Sequence, residues 1–109
     1  MTDVAGMTVV EDLVDQVVVA EASTVSRTVL KADGVRLVLF AFDQGEELSE
    51  HTAAVPVLLQ ALDGVFTVSA EGRSVDLEPG SVIHLGSRVP HSVVTLAAGR
   101  LLLTMLDAR

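Results

Sequence analysis

Three histidines, His51, His84 and His91, are the residues of this chain best equipped for chemistry. An unperturbed imidazole titrates near neutral pH and offers a lone pair. It therefore serves as a metal ligand, as a general acid or base, or as a hydrogen-bond anchor. A scattered histidine is more often a plain loop or surface residue, so context must separate these readings. His51 lies inside the stretch "GEELSEHTAAVPVLLQALDG", six positions after Gly45 and thirteen before Gly64. His91 follows Gly80 by eleven positions and comes directly after Pro90, with His84 seven residues upstream of it.

Few other groups compete with them. There is no cysteine, which removes disulfides, zinc-thiolate sites and a thiol nucleophile together. Ser49 and Ser92 flank His51 and His91 without forming a nucleophile–base pair, and no G-x-S-x-G elbow is present. There is no tyrosine, and the single lysine, Lys31, sits beside a turn where solvent would hold it. Glu50 adjoins His51 and, on an extended strand, would face the opposite way. Glu46 and Glu47 belong to a loop that could fold inward. Gln60 and Met105 read as packing or interface residues. Arg88 precedes the Pro-His pair on a loop and could hold a carboxylate bidentately. Arg27 and Arg36 read as strand-surface residues paired with the abundant acids.

The elements that must position these side chains are strands. The 109 residues suit one domain, with half of them apolar and only Phe40, Phe42 and Phe66 aromatic. The core is therefore aliphatic and β-branched, a composition that packs on pleated surfaces. Thr24 to Lys31 half-alternates and has one mixed face, as an edge strand would. The Asp33-Gly34 pair then signals a hairpin. Val35 to Asp43 is almost solidly apolar, the pattern of a strand covered on both faces. A loop is expected through Glu50. Short strands follow at Val57–Asp63, Val65–Ala70, Arg73–Glu78, Ser81–Leu85, Ser92–Ala97 and Arg100–Leu106, separated by Gly, Pro and Asp turns. The valine-rich N-terminus reads as one or two further strands. No stretch has sustained helical periodicity, so the chain is expected to be an all-β sandwich or barrel.

Charge excludes some partners. At a net −8, with no Lys/Arg cluster and no aromatic platform, the chain is not built for nucleic acid or for anionic membranes. No signal-peptide pattern and no membrane-spanning apolar run is visible, and the expected location is cytoplasmic.

The glycine and histidine spacings resemble those of the cupin superfamily, in particular small single-domain bacterial cupins. Its first motif, G-x5-H-x-H-x(3,4)-E-x6-G, is matched by Gly45, His51 and Gly64. Its second, G-x5-P-x-G-x2-H-x3-N, is matched by Gly80 and His91. The resemblance covers about residues 35–106. It implies a double-stranded β-helix, or jelly-roll barrel, with residues 24–106 as the barrel and residues 1–23 as strands contributing to dimerisation. The metal-ligand set it carries is depleted. Ala53 stands at the second histidine and Val57 at the acid. Gly86 replaces the second motif's proline, Arg88 its glycine and Thr95 its asparagine.

Two neutral imidazoles make a poor metal site alone, since catalytic zinc takes three protein ligands and the non-haem iron triad needs a carboxylate. His84 becomes a third imidazole only if Ile83 and Leu85 face outward. The first expectation is thus a binding module without a tightly held metal. It places a small apolar or weakly polar ligand in the barrel, lined by His51, His91, Arg88, Ala53 and Val57. The alternative is a metal-dependent oxygenase or isomerase holding iron, manganese, nickel or zinc through His51, His91 and a third ligand. The run Leu101-Leu102-Leu103 puts apolar groups on both faces of a strand. That implies a covered outer face and suggests a homodimer, the usual state of small cupins.

Overall fold

The computed structural model describes residues 6–106. Nine strands form two antiparallel sheets. They are β1 (Thr24–Ala32), β2 (Val35–Phe42), β3 (Glu47–His51), β4 (Val57–Ala61), β5 (Val65–Ala70), β6 (Arg73–Leu77), β7 (Val82–Leu85), β8 (His91–Ala97) and β9 (Gly99–Leu106). One sheet has the order β1-β2-β9-β4-β7 and the other β3-β8-β5-β6. The two sheets make the expected jelly-roll. Among the described residues no helix is long and apolar enough to cross a membrane.

Alternation sets what each strand buries. Val57, Leu59 and Ala61 of β4, Phe66 and Val68 of β5, Val93 of β8 and Leu101 of β9 turn into the space between the sheets and form one core with Phe42, Leu77 and Leu85. Three aromatic rings run through its centre. Phe40 and Phe42 stack with centroids 5.8 Å apart, and Phe42 meets Phe66 edge-on at 5.4 Å. Phe42 and Phe66 are fully buried, worth roughly 1.5–3 kcal/mol each, while Phe40 is partly so.

β2 is covered on both faces, as its solid apolar run predicts. Phe40 and Phe42 face the core between the sheets, while Leu37, Leu39 and Ala41 face a second cluster with Val29 and Leu102. β1 is an edge strand, and Val29 is the extra residue where its register with β2 shifts.

The second cluster corrects two expectations. Among the described residues before β1 there is no strand, only a short 3-10 helix, Leu13–Gln16, within otherwise extended chain. That segment lays Val10, Leu13, Val17 and Val19 over the outer face of the first sheet. The cover over Leu102 is thus the chain's own N-terminal segment, so the apolar triplet in β9 is accounted for within one copy. Backbone carbonyls hold the segment down. Arg100 Nε donates to Val17 O at 3.0 Å and Arg27 Nη1 to Gln16 O at 3.2 Å. At its far end, Asp43 accepts from the backbone N–H groups of Ala22 (2.7 Å) and Gln44 (2.8 Å), which holds its carboxyl below the usual 3.8.

The β4–β5 and β8–β9 turns pack backbone against backbone. A Cβ on Gly64 would sit 2.6 Å from the Ala97 carbonyl oxygen, and one on Gly99 would sit 2.6 Å from Gly64 Cα. Gly64, the closing glycine of the first motif, is therefore fixed by this close approach. Asp63 clamps the same junction, accepting from Arg100 N at 2.5 Å and from Arg100 Nη1 at 2.9 Å.

Candidate functional site

β3 was expected to be loop. It pairs instead with β8, with Glu47 opposite Val94, Leu48 opposite Val93 and His51 opposite His91. Leu48 and His51 are three positions apart, while Val93 and His91 are only two apart. One extra residue therefore sits in β3. Were the same residues paired without a bulge, Glu50 would lie opposite His91; with the bulge Glu50 turns outward and His51 joins His91 on the inner side. Bulges of this kind re-aim side chains at functional edges.

The two imidazoles meet with centroids 4.3 Å apart and planes at 61°. His91 is 4% exposed, whereas His51, on the edge strand, is open to solvent. Each ring is tied to its own chain two residues back. His51 Nδ1 is 2.8 Å from Ser49 O, and His91 Nδ1 is 2.9 Å from Val89 O. A carbonyl can only accept, so Nδ1 donates in both rings, and in the neutral imidazoles Nε2 carries the lone pair. Two rings oriented by their own chain thus meet at one end of the sandwich.

Inward-facing residues at and near this end are apolar and only partly covered: Leu48, Ala53, Ala70, Val89, Leu103 and Met105 pack on the core without being closed over. The two imidazoles thus border a patch of partly covered apolar side chains, and Phe40, Phe42 and Phe66 pack the interior. Four surface concavities among the described residues, about 240 to 430 Å³ each, are lined by neither His51 nor His91, although Ala70 borders two of them and Met105 a third.

The remaining candidates separate clearly. Ala53 is half-buried against the core, and its carbonyl accepts from Arg88 N at 2.7 Å. Val57 is 1% exposed and is a core residue, not an open pocket wall. Arg88 takes the left-handed conformation (φ 63) at the position where the second motif has glycine. The turn before His91 therefore keeps its shape at some backbone cost. Its guanidinium is exposed and has no partner among the described residues.

His84 cannot join the pair as a third ligand. Leu85 is in the core and Ile83 packs against it, so His84 between them points outward. Glu47 and Glu50 are exposed, Glu46 is tied through its backbone to Thr95 (2.9 Å), and Gln60 is exposed on β4. Ser92 lies opposite Ser69 on the outer face of β8. Thr95, at the asparagine position of the second motif, is 2% exposed, and its hydroxyl has no hydrogen-bond partner among the described residues.

A metal would find two imidazole nitrogens here. Their tautomers suit it, since ligating histidines commonly donate their other N–H to a carbonyl. The number of donors does not: no group of three His, Cys, Asp or Glu among the described residues is placed to hold a metal ion.

No family model and no curated protein matches the chain. Solved structures do. A cupin superfamily protein from Desulfitobacterium hafniense aligns over 83% of both chains with a TM-score of 0.77 at 23% identity. An RmlC-like cupin from Desulfovibrio desulfuricans aligns over 93% of this chain and 98% of its own, with a TM-score of 0.82 at 20% identity. An RmlC-like cupin from Shewanella frigidimarina covers 79% of this chain and 78% of its own, with a TM-score of 0.72 at 23% identity. At these identities the likeness speaks for architecture, and the architecture of this chain is the cupin fold.

Proposed function

We propose that this chain is a cupin-fold binding protein that holds a small apolar or weakly polar molecule at the open end of the sandwich. His51 and His91 are its polar anchors, and Ala53 and Val89 belong to the apolar rim. The observation that carries this reading is the imidazole pair: 4.3 Å apart, with both Nδ1 atoms committed to backbone carbonyls and both Nε2 atoms left as acceptors beside partly covered apolar side chains. A ligand that donates one or two hydrogen bonds from an apolar body matches that surface, as small-molecule sites generally combine apolar walls with a few placed polar groups. The protein acts as a homodimer in the cytoplasm. The exposed Met7, Val9 and Val18 on the N-terminal segment supply apolar surface for the second copy.

A second reading, a metal-dependent enzyme of oxygenase or isomerase type, is favoured by the tautomers of the pair and opposed by its donor count. Elemental analysis of untagged protein separates the two. One equivalent of iron, manganese, nickel or zinc per chain, lost in His51→Ala, overturns the binding-module reading. Fragment screening by amide NMR is the positive test. Phenol and small neutral alcohols should perturb His51, Ala53, Val89 and His91, and His91→Phe should abolish those shifts. Fragments that leave these four residues untouched refute the site.

A further inference from the structure

Lys31 and Arg36 are two of only seven basic residues in a chain of net charge −8, and Lys31 is its sole lysine. They stand directly opposite each other on β1 and β2, one step from the hairpin turn. Register gives their side. Arg36 pairs with Met105, Met105 pairs with Val57, and Val57 is in the core. Both cations therefore occupy inner-face positions of the first sheet, at the end where the chain from Thr52 to Pro56 crosses from β3 to β4.

Like charges directly opposite on neighbouring strands are destabilising. Among the described residues neither cation has a salt bridge; the one such pair there is Arg100–Asp63. Beside the two cations lies a concavity of about 240 Å³, walled by Val35, Ala54, Val55 and Met105. Lys31 and Arg36 themselves border this hollow, so two cations without a salt bridge among the described residues and an apolar wall together define one complement.

We propose that this hollow is a binding site for a small aliphatic carboxylate, its head group held between Lys31 and Arg36 and its chain against Val55 and Met105. A bare inorganic anion would leave the apolar walls wet, and a neutral alcohol would leave the two cations facing each other unpaired. The volume lies below the ~300–1,000 Å³ of clefts that take drug-sized ligands, so the acid has on the order of ten non-hydrogen atoms. Arg36 supplies a planar fork that fits a carboxylate and Lys31 a mobile point charge. Neither His51 nor His91 lines this hollow, and Met105 is the one residue it shares with the apolar patch beside the imidazole pair.

Hexanoate is the probe. The full chain, titrated at about 0.15 M salt and followed by amide NMR, should show saturable shifts at Lys31, Arg36, Val55 and Met105. Lys31→Gln and Arg36→Gln should each raise the dissociation constant roughly tenfold, as expected for loss of a charge-assisted contact. The double variant should not bind. Hexanol and inorganic phosphate should each bind at least tenfold more weakly than hexanoate. Circular dichroism and melting curves establish that the variants are folded. Equal binding by the glutamine variants, equal binding of hexanol, tighter binding of phosphate, shifts centred on His51 and His91 instead, or no saturable shift at all would each overturn the proposal.

Discussion

Restoring the two missing donors should turn the imidazole pair into a metal site. The perturbation is Ala53→His with Val57→Glu, which returns an imidazole and a carboxylate to the motif positions now occupied by methyl and isopropyl groups. Without metal the double variant should be much less stable. Val57 is 1% exposed, so its loss forfeits roughly 1.5–3 kcal/mol of burial. An uncompensated carboxylate in its place costs about 3–5 kcal/mol more, as breaking a buried pair does. Against the ~5–15 kcal/mol that a domain has in total, the apo variant should melt far below the wild type. The histidine at half-buried position 53 adds little to that deficit. Divalent zinc or manganese at a hundredfold excess over its dissociation constant then adds about 2.7 kcal/mol to the folded state. For a domain of this size that is a rise of roughly 10–20 °C in melting temperature. The assay is a thermal melt with and without metal, repeated with His51→Ala added to the double variant. A metal response no larger than that of the wild type would refute the inference that Ala53 and Val57 are what separate this pair from a metal centre. So would a response that survives loss of His51.

Three further outcomes follow from the geometry. Thr95→Val replaces a buried hydroxyl without a partner by a methyl group and should raise stability by about 1 kcal/mol; a decrease in the urea midpoint would mean that the hydroxyl is satisfied. Gly99→Ala drives a Cβ into the backbone of Asp63 and Gly64 and pries Arg100 from Asp63, so it should cost roughly 3 kcal/mol or more, whereas a loss under half that in chemical denaturation would contradict the packing. Asp43→Ala should lower the melting temperature at neutral pH. Because the folded carboxyl is held below 3.8, its contribution is present above that value and fades as the pH falls through the lower folded value. The gap between variant and wild type should therefore close in acid, and a gap that stays constant with pH would disprove the role of the ionised carboxylate.

The sequence reads well where patterning and tertiary structure ask for the same thing. β2 shows its two covered faces in a run of apolar residues, β1 shows its edge position in a mixed face, and Gly45, His51, Gly64, Gly80 and His91 carry the cupin spacing. It reads poorly where a contact is made far along the chain. β3 has two glutamates and a serine among the four residues before His51, a composition of loop; only pairing with β8 makes it a strand. The N-terminal valines look like strand residues because valine packs on any apolar surface, and here they pack as irregular chain on the first sheet. His84 was legible as a conditional, since period-two alternation ties it to Ile83 and Leu85, but which face is inside depends on partners no local pattern names. The cations Lys31 and Arg36 are exposed, as their types suggest, and only the register with Met105 tells which side of the sheet they stand on.

The extra residue in β3 gives the site an unusual dependence on chain length. The group facing His91 is chosen by counting, not by chemistry. Deleting Ser49 would remove the extra residue and restore regular pairing, with Glu50 opposite Ser92 and His51 still opposite His91, so the imidazole pair would survive the loss. Inserting one residue between Leu48 and Glu50, with the bulge keeping its single extra residue, would instead bring Glu50 opposite His91 and convert an imidazole pair into a histidine–carboxylate pair in a single step. An insertion beside residue 49, more than a substitution at residue 51, is thus the change by which this scaffold would move between ligand chemistries.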